Sequence, residues 1–475
     1  MKSDSSYSRI IKLSSFFGGI QFLNIAIALI RNKLVAILLG PNGVGLMSLF
    51  NSTANMLGNL TQMGLPISGV REISQYKNNA QEQQRRINVI RVWSIILGCM
   101  GMLLCVVFSP LLNWFTFTWG NHTFHFIALS PMILFTTMAN GEVAIMKGTY
   151  RMRRLAYRSV CSIVAALVVS VPLYYFFGET GIVPSLVAIA LCQYFLNLSG
   201  RVKVEDIKDA ISLGKPMIRL GMAFVVAGLF GSGCDFLIRT YLNNVGDLTA
   251  VGLYNTGYMI SVTYGGMLFA SMDNEYYPRL SAIPELGNEF NAVVNRQIRV
   301  FLLITIVFVT LLISLMPYII PLLFSSKFVG VVPMAQWAAV GLVARAIYLP
   351  IEYISLARGD ARSFMIVECV SYVLMFVCVV GGYHLGGLTG TGIGLALSAF
   401  LNLGFDVIYI RKKFNLKWKF HPTYRAINCP RLMYIPFGSF DSSLPTYLPS
   451  TVYMRLSAGA VLTVTPFMPV AKSGI

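Results

Sequence analysis

Long apolar runs leave this chain few folds to choose from. Stretches of about 20 mainly apolar residues, enough to cross a hydrocarbon core, recur near 11–39, 44–69, 92–112, 124–146, 159–177, 182–199, 217–241, 251–272, 300–324, 331–356, 363–382 and 391–410. Inside lipid every backbone amide needs an internal partner, so runs of this kind are helices. The expected fold is all-α and integral to the membrane, with about 12 transmembrane helices. Composition agrees, because only 12% of residues are charged against about 25% in a soluble domain. A cleavable signal peptide has an apolar core of roughly 7–15 residues. The run that starts at Ile11 continues far beyond that and is read as the first span.

Charge sets the orientation. Segments 1–12, 71–91, 147–158, 201–219, 273–299, 357–362 and 411–425 hold 29 of the 37 Lys and Arg residues, and the opposite loops hold only Lys327. By the positive-inside rule both termini are cytoplasmic and the number of spans is even. The net charge of +18 is therefore spread over short loops as membrane anchors, not gathered into the basic face that nucleic-acid binding requires. Eight cysteines include no Cys-x-x-Cys pair, so neither disulfides nor zinc is indicated. His122-x-x-His125 lacks the third protein ligand of a catalytic zinc, and no metal is expected. No Ser, His and Asp grouping suggests a triad.

Two features break the apolar pattern. The run from Ile11 to Leu39 is 29 residues, roughly 43 Å of helix against a core of about 30 Å, so it tilts, bends or protrudes. Gly18-Gly19, Pro41 and, in the second span, Pro66 are the candidate places for irregularity. The second feature is a weak internal repeat. Lys33 precedes Gly40 by seven residues, as Arg239 precedes Gly246, and Val44-Gly45-Leu46 matches Val251-Gly252-Leu253 at an offset of 207. Spans one and two thus correspond to spans seven and eight, which implies two six-helix bundles running in the same sense. The expected division is 1–200 for the first bundle, 201–419 for the second, and 420–475 as an atypical tail.

Ionisable side chains within spans are costly and so mark candidate functional positions. The cations are Arg31, Lys33, Arg239 and Arg345; the acids are Glu142, Asp235, Glu352, Glu368 and Asp406. Plainer readings stand beside the functional one. Arg31 and Lys33 can snorkel to the outer interface, Arg239 can pair with Asp235 one turn away, and Glu142 can lie at the cytoplasmic surface near Lys147. Asp235, Glu352, Glu368 and Asp406 are the candidates for coupling a proton or a sodium ion. Span two also carries Ser48, Asn51, Ser52, Asn55, Asn59 and Gln62, mostly on one face. Such a stripe either bonds to neighbouring helices or lines a hydrated cavity.

The stretches Lys33 to Ala36, Gly40 to Leu46, Met146-Lys147-Gly148, Ser326 to Phe328 with Gln336-Trp337, and Ala357-Arg358 to Glu368 resemble the Wzx-type flippases of polysaccharide biosynthesis, nearest to O-antigen and enterobacterial-common-antigen translocases. The resemblance covers roughly residues 1–415. It implies a MATE-like fold of two rocking lobes in the bacterial inner (cytoplasmic) membrane and no cofactor. The substrate it implies is an undecaprenyl-diphosphate-linked oligosaccharide, turned from the cytoplasmic to the periplasmic leaflet. Glycosyltransferases and a polysaccharide polymerase are the partners such a protein would serve. Lys33, Arg239 and Arg345, with Arg31 in reserve, are the expected diphosphate contacts, because cations in a cavity of reduced dielectric compensate a diphosphate. Asn51, Asn55 and Asn59 would line the sugar path. A multidrug or cation antiporter of the same fold is the rival transporter reading. A membrane glycan polymerase or ligase is a rival enzyme, disfavoured by short outer loops. Beyond about Lys419 the resemblance ends: seven prolines crowd the tail, which either is a divergent terminus or has a role of its own.

Overall fold

The structure is a computed structural model; it describes residues 3–414, except 77–78, 119, 201–206, 270–275 and 284–285, together with 434–437, 450–456 and 462–465. Thirteen α-helices are described: α1 (Ser3–Gln62), α2 (Leu65–Gln75), α3 (Ala80–Val107), α4 (Ser109–Thr116), α5 (Thr123–Gly148), α6 (Met152–Phe177), α7 (Ile182–Asn197), α8 (Ile207–Val245), α9 (Leu248–Tyr258), α10 (Tyr277–Ser281), α11 (Asn288–Leu323), α12 (Val332–Ala357) and α13 (Ala361–Lys413). Among the described residues, seven helical stretches are long and apolar enough to cross a membrane. The protein is thus a multi-pass helical membrane protein.

Three of those stretches, of 40, 46 and 53 residues, exceed a single crossing, and each contains a break. In α1 the break is Gly40, with φ 65° and ψ −173°, a region open essentially only to glycine. Pro41 follows; it disfavours helical geometry at the residue before it and can itself begin a new helical segment. Between α6 and α7 the break is the 3₁₀ turn Gly178–Gly181, and in α13 it is Gly386 and Gly387. All three fall between runs read as separate spans. Gly18-Gly19, by contrast, lies in uninterrupted helix. The second span ends early, at Gln62, where Met63 and Gly64 adopt positive φ and Pro66 opens α2. The eighth passes from α9 into the π-turn Met259–Tyr264.

The chain divides into two compact units, Met1–Gly252 with Leu323–Lys327, and Leu253–Leu322 with Phe328–Ile475. In the first, Leu65, Ile73, Ile90, Leu97, Ile145 and Met217 form a buried cluster that joins α2, α3, α5 and α8. In the second, Phe290, Ile298, Val309, Ile313, Ile351 and Val367 join α11, α12 and α13. The tail departs from the all-α expectation. Strands β1 (Tyr434–Phe437), β2 (Ser450–Leu456) and β3 (Leu462–Thr465) pair in the order β1-β2-β3, both pairs antiparallel.

Candidate substrate and ion sites

In the first unit Arg239 is buried on α8 and fully engaged. It forms an ion pair with the Asp235 carboxylate one turn earlier, and its Nε donates to the Ser48 hydroxyl at 2.6 Å. The local pair read from the sequence is therefore present, and Ser48 joins it from the far half of α1. Arg31 is half-buried, and its Nε donates to the Ser170 hydroxyl at 3.4 Å. Lys33 is also half-buried. Along α1, Ser48, Ser52 and Gln62 are buried, whereas Asn55 and Asn59 are exposed and Asn51 is half-buried with its amide donating to the Met47 carbonyl. The stripe thus splits into a packed edge and an open edge.

In the second unit α12 and α13 gather the remaining acids. Glu352 and Asp406 are 5% and 0% exposed. Glu352 and Glu368 share a hydrogen bond, with Asp406 and Arg345 close enough to act on Glu352 electrostatically. Asn402, not singled out in the sequence, donates to Asp406 Oδ2 at 3.1 Å. Asp406 Oδ1 and Asn402 Oδ1 are buried without a partner among the described residues, so two acceptors point at no donor there. Arg345 lies over the Phe269 ring at 5.8 Å, and its Nε is buried without a hydrogen-bond partner among the described residues. The structure thus brings Glu352, Glu368, Asp406 and Arg345 together, and separately Arg239 with Asp235.

Sequence reasoning missed one polar centre. Glu142, expected near the cytoplasmic surface beside Lys147, is 3% exposed. Its carboxylate accepts Arg91 Nε at 2.6 Å and the Ser199 hydroxyl at 2.5 Å. It lines a cavity of about 190 Å³ with Arg91, Ser94 and Tyr194. The charge pattern assigns Arg91 to a cytoplasmic loop, yet it lies well inside α3 and is buried. Its place beside the apolar run starting at Val92 is the available signal. At the start of α5, His122 and His125 face each other at 5.1 Å between ring centres, and His125 stacks on Phe50. Desolvation, then His125, holds the His122 imidazole below its ordinary range.

Long kinked helices, buried charges within apolar spans and acids gathered in the second unit define a multi-pass membrane transporter fold. An inward-facing multidrug resistance MATE family transporter of the MOP superfamily superposes with a TM-score of 0.64 at 14% identity, covering 82% of this chain and 94% of that one. The lipid II flippase MurJ, in an inward closed conformation, gives 0.56 at 14% identity over 83% and 87%. Residues 12–283, more than half of the chain, match the family described as polysaccharide biosynthesis protein, and the chain belongs to that family. Among curated proteins, the lipid III flippase of Escherichia coli (strain K12) is 23% identical over 383 residues, 77% of this chain and 89% of its own length. The resemblance read from residues 1–415 holds.

Proposed function

We propose that this protein is a flippase, not an enzyme, that turns an undecaprenyl-diphosphate-linked oligosaccharide, such as an O-antigen repeat unit, across the bacterial inner membrane by alternating access. Its twelve spans form two six-helix bundles with both termini cytoplasmic. The observation that carries the reading is Arg345, a cation inside an apolar helix whose buried Nε has no protein partner among the described residues. Leaving such a donor unmet is expensive, and a diphosphate oxygen supplies what is missing. Lys33 and Arg239 are the other diphosphate contacts, with Arg31 in reserve. Arg239 reaches substrate by exchanging Asp235 for phosphate. The open edge formed by Asn51, Asn55 and Asn59 lines the sugar path, because a polar stripe is unfavourable against lipid. Asp235, Glu352, Glu368 and Asp406 are the groups available to a driving proton or sodium ion. The relatives' names support this substrate class, and the glycosyltransferases and polymerase of a polysaccharide pathway are its expected partners.

The test is transfer of a fluorescent undecaprenyl-diphosphate oligosaccharide across proteoliposomes. Arg345→Gln and Arg239→Gln should abolish transfer while leaving insertion and folding intact. Transfer that survives both changes and Lys33→Gln sinks the cationic-site reading. A second reading, a cation antiporter, is favoured by the three clustered acids of the second unit. Export of cationic dyes against a proton or sodium gradient, with no glycolipid transfer, would install it instead.

A further inference from the structure

The basic turn between α5 and α6 carries no neutralising acid. Lys147, Arg151, Arg153, Arg154 and Arg158 fall within twelve residues, and no Asp or Glu stands between Glu142 and Glu179. Other loop cations do find acids: Arg86 pairs with Glu72 at 2.5 Å and with Glu82 at 3.3 Å, and Lys413 pairs with Asp360 at 3.8 Å. Arg158 is half-buried and engaged, donating to the Asn197 and Leu198 carbonyls at 2.7 and 3.3 Å. Lys147, Arg151, Arg153 and Arg154 are exposed and form no ion pair among the described residues. Arg151 and Arg154 are near enough to Arg158 to repel it.

The turn holds these cations in place. The Tyr150 amide donates to the Lys147 carbonyl and the Arg151 amide to the Met146 carbonyl, both at 3.0 Å. These are the two bonds that close a helix through a left-handed residue, here Tyr150 at φ 56°. Ser74 donates to the Gly148 carbonyl at 3.4 Å, and a Cβ on Gly148 would press on Ile73, so α2 backs the turn. Beyond it, Tyr157, Val164 and Val168 are 71%, 41% and 59% exposed. Spacings of seven and four put them on one face of α6, and Arg153, one turn before Tyr157, begins that face. On the other side of the helix Ser170 and Tyr174 are buried, and Ser170 meets Arg31 there.

We propose that this turn and this face form a binding site for an anionic phospholipid of the cytoplasmic leaflet, its phosphate held by Arg151, Arg153 and Arg154 and an acyl chain lying along Tyr157, Val164 and Val168. The charge asymmetry of the loops puts the turn on the cytoplasmic side, where clustered cations attract anionic headgroups. Arginine suits the task because its guanidinium takes phosphate oxygens two at a time. The apolar stripe that continues from the cations favours a lipid over a free phosphate, since one surface then holds both head and chain. The occupant is a resident lipid and not the transported one, because Arg31, a candidate diphosphate contact, meets α6 from the opposite side.

The test is native mass spectrometry of the full-length protein in neutral detergent, with dioleoyl phosphatidylglycerol or dioleoyl phosphatidylcholine added. The parent should bind the first at least about tenfold more tightly, a modest demand on three cations at an anionic headgroup. Arg151→Gln/Arg153→Gln/Arg154→Gln should lose that preference. Arg296→Gln/Arg299→Gln/Arg411→Gln, which removes as many exposed charges elsewhere, should keep it. The proposal is overturned by a parent without the preference, by a preference that survives the first triple change, or by one that both triple changes abolish alike. Undecaprenyl diphosphate should bind the parent and the first triple variant equally; weaker binding to the variant would give the patch to the transported lipid and overturn the resident-lipid proposal. A second measurement needs no variant. Phosphatidylglycerol with a diazirine on its acyl chain, in phosphatidylcholine vesicles holding the parent, should cross-link between Met152 and Val168, and unlabelled phosphatidylglycerol should suppress the link where added phosphatidylcholine does not. Cross-links spread evenly over the exposed helices overturn the proposal as well.

Discussion

Arg91–Glu142 and Arg239–Asp235 are both Arg–carboxylate pairs within apolar helices, yet their surroundings give them different roles. The side chains of Arg91 and Glu142 are 8% and 3% exposed, and Ser199 fills the remaining acceptor capacity through its hydroxyl and its backbone amide. With its carboxylate so engaged, the pair holds α3, α5 and the chain after α7 together. Glu142→Gln should cost about 3 kcal/mol by stranding a buried cation, measured by thermal unfolding in detergent. Replacing both, as Arg91→Met with Glu142→Leu, should cost less than either change alone. Asp235 is 31% exposed at its side chain, so a phosphate can compete for Arg239. Asp235→Asn should therefore lower the KM for glycolipid transfer by up to about fivefold, the factor that matches a partly exposed ion pair. A raised KM would show that the acid itself serves the substrate. The Arg239–Asp235 pair was legible because its partners lie four residues apart. Ser48, 191 residues from Arg239, and Arg91, 51 from Glu142, were not, since one-dimensional spacing says nothing about which helices pack.

At the level of elements, breaks and caps decide where the apolar runs become separate helices. Pro41 marked the first break in the sequence, and the structure puts the strained dihedral on the residue before it. Gly40 has open space where a methyl group would stand, so Gly40→Ala meets no clash and its cost is backbone strain alone, about 1–3 kcal/mol. Pro41→Ala should cost far less; equal costs in chemical unfolding would show that the ring, not the dihedral, makes the bend. The start of α13 depends on Asp360. It accepts the Ser363 amide at 3.1 Å and the Ser363 hydroxyl at 2.8 Å, and these bonds hold its carboxyl below the usual carboxylate range, with Lys413 adding to them. Asp360→Ala should cost about 1 kcal/mol at neutral pH. Because the folded-state value is the lower one, that contribution is complete above the unfolded aspartate value of about 3.9 and fades as pH falls through the folded one. The gap between variant and parent should close on acidification; a gap that persists in strong acid would mean that the carboxylate is not what caps the helix. Neither this cap nor the π-turn of span eight showed in apolar periodicity, which reports the faces of helices and not their ends.

Across the whole molecule, the positions of the long helices follow from bilayer thickness and hydropathy, which is why so much of the fold was legible. The acid cluster of the second unit was only half legible: its acids stood out one by one, but their meeting depends on how α12 packs on α13. The packing gives that centre a specific consequence. Glu352, Glu368 and Asp406 are near enough to repel one another, and two of their neighbouring acceptor oxygens lack donors among the described residues. A proton or a sodium ion relieves both conditions at once, so occupancy of this centre should shift the balance between conformations. Asp406→Asn supplies an amide where the cation would sit and removes one negative charge. Glycolipid transfer by that variant should lose its dependence on an imposed proton or sodium gradient while a slower, gradient-independent transfer remains. Which gradient drives the parent identifies the ion. Full gradient dependence in Asp406→Asn, and again in Glu368→Gln, would move the coupling role to Asp235, where the ion would have to compete with Arg239 for the same carboxylate.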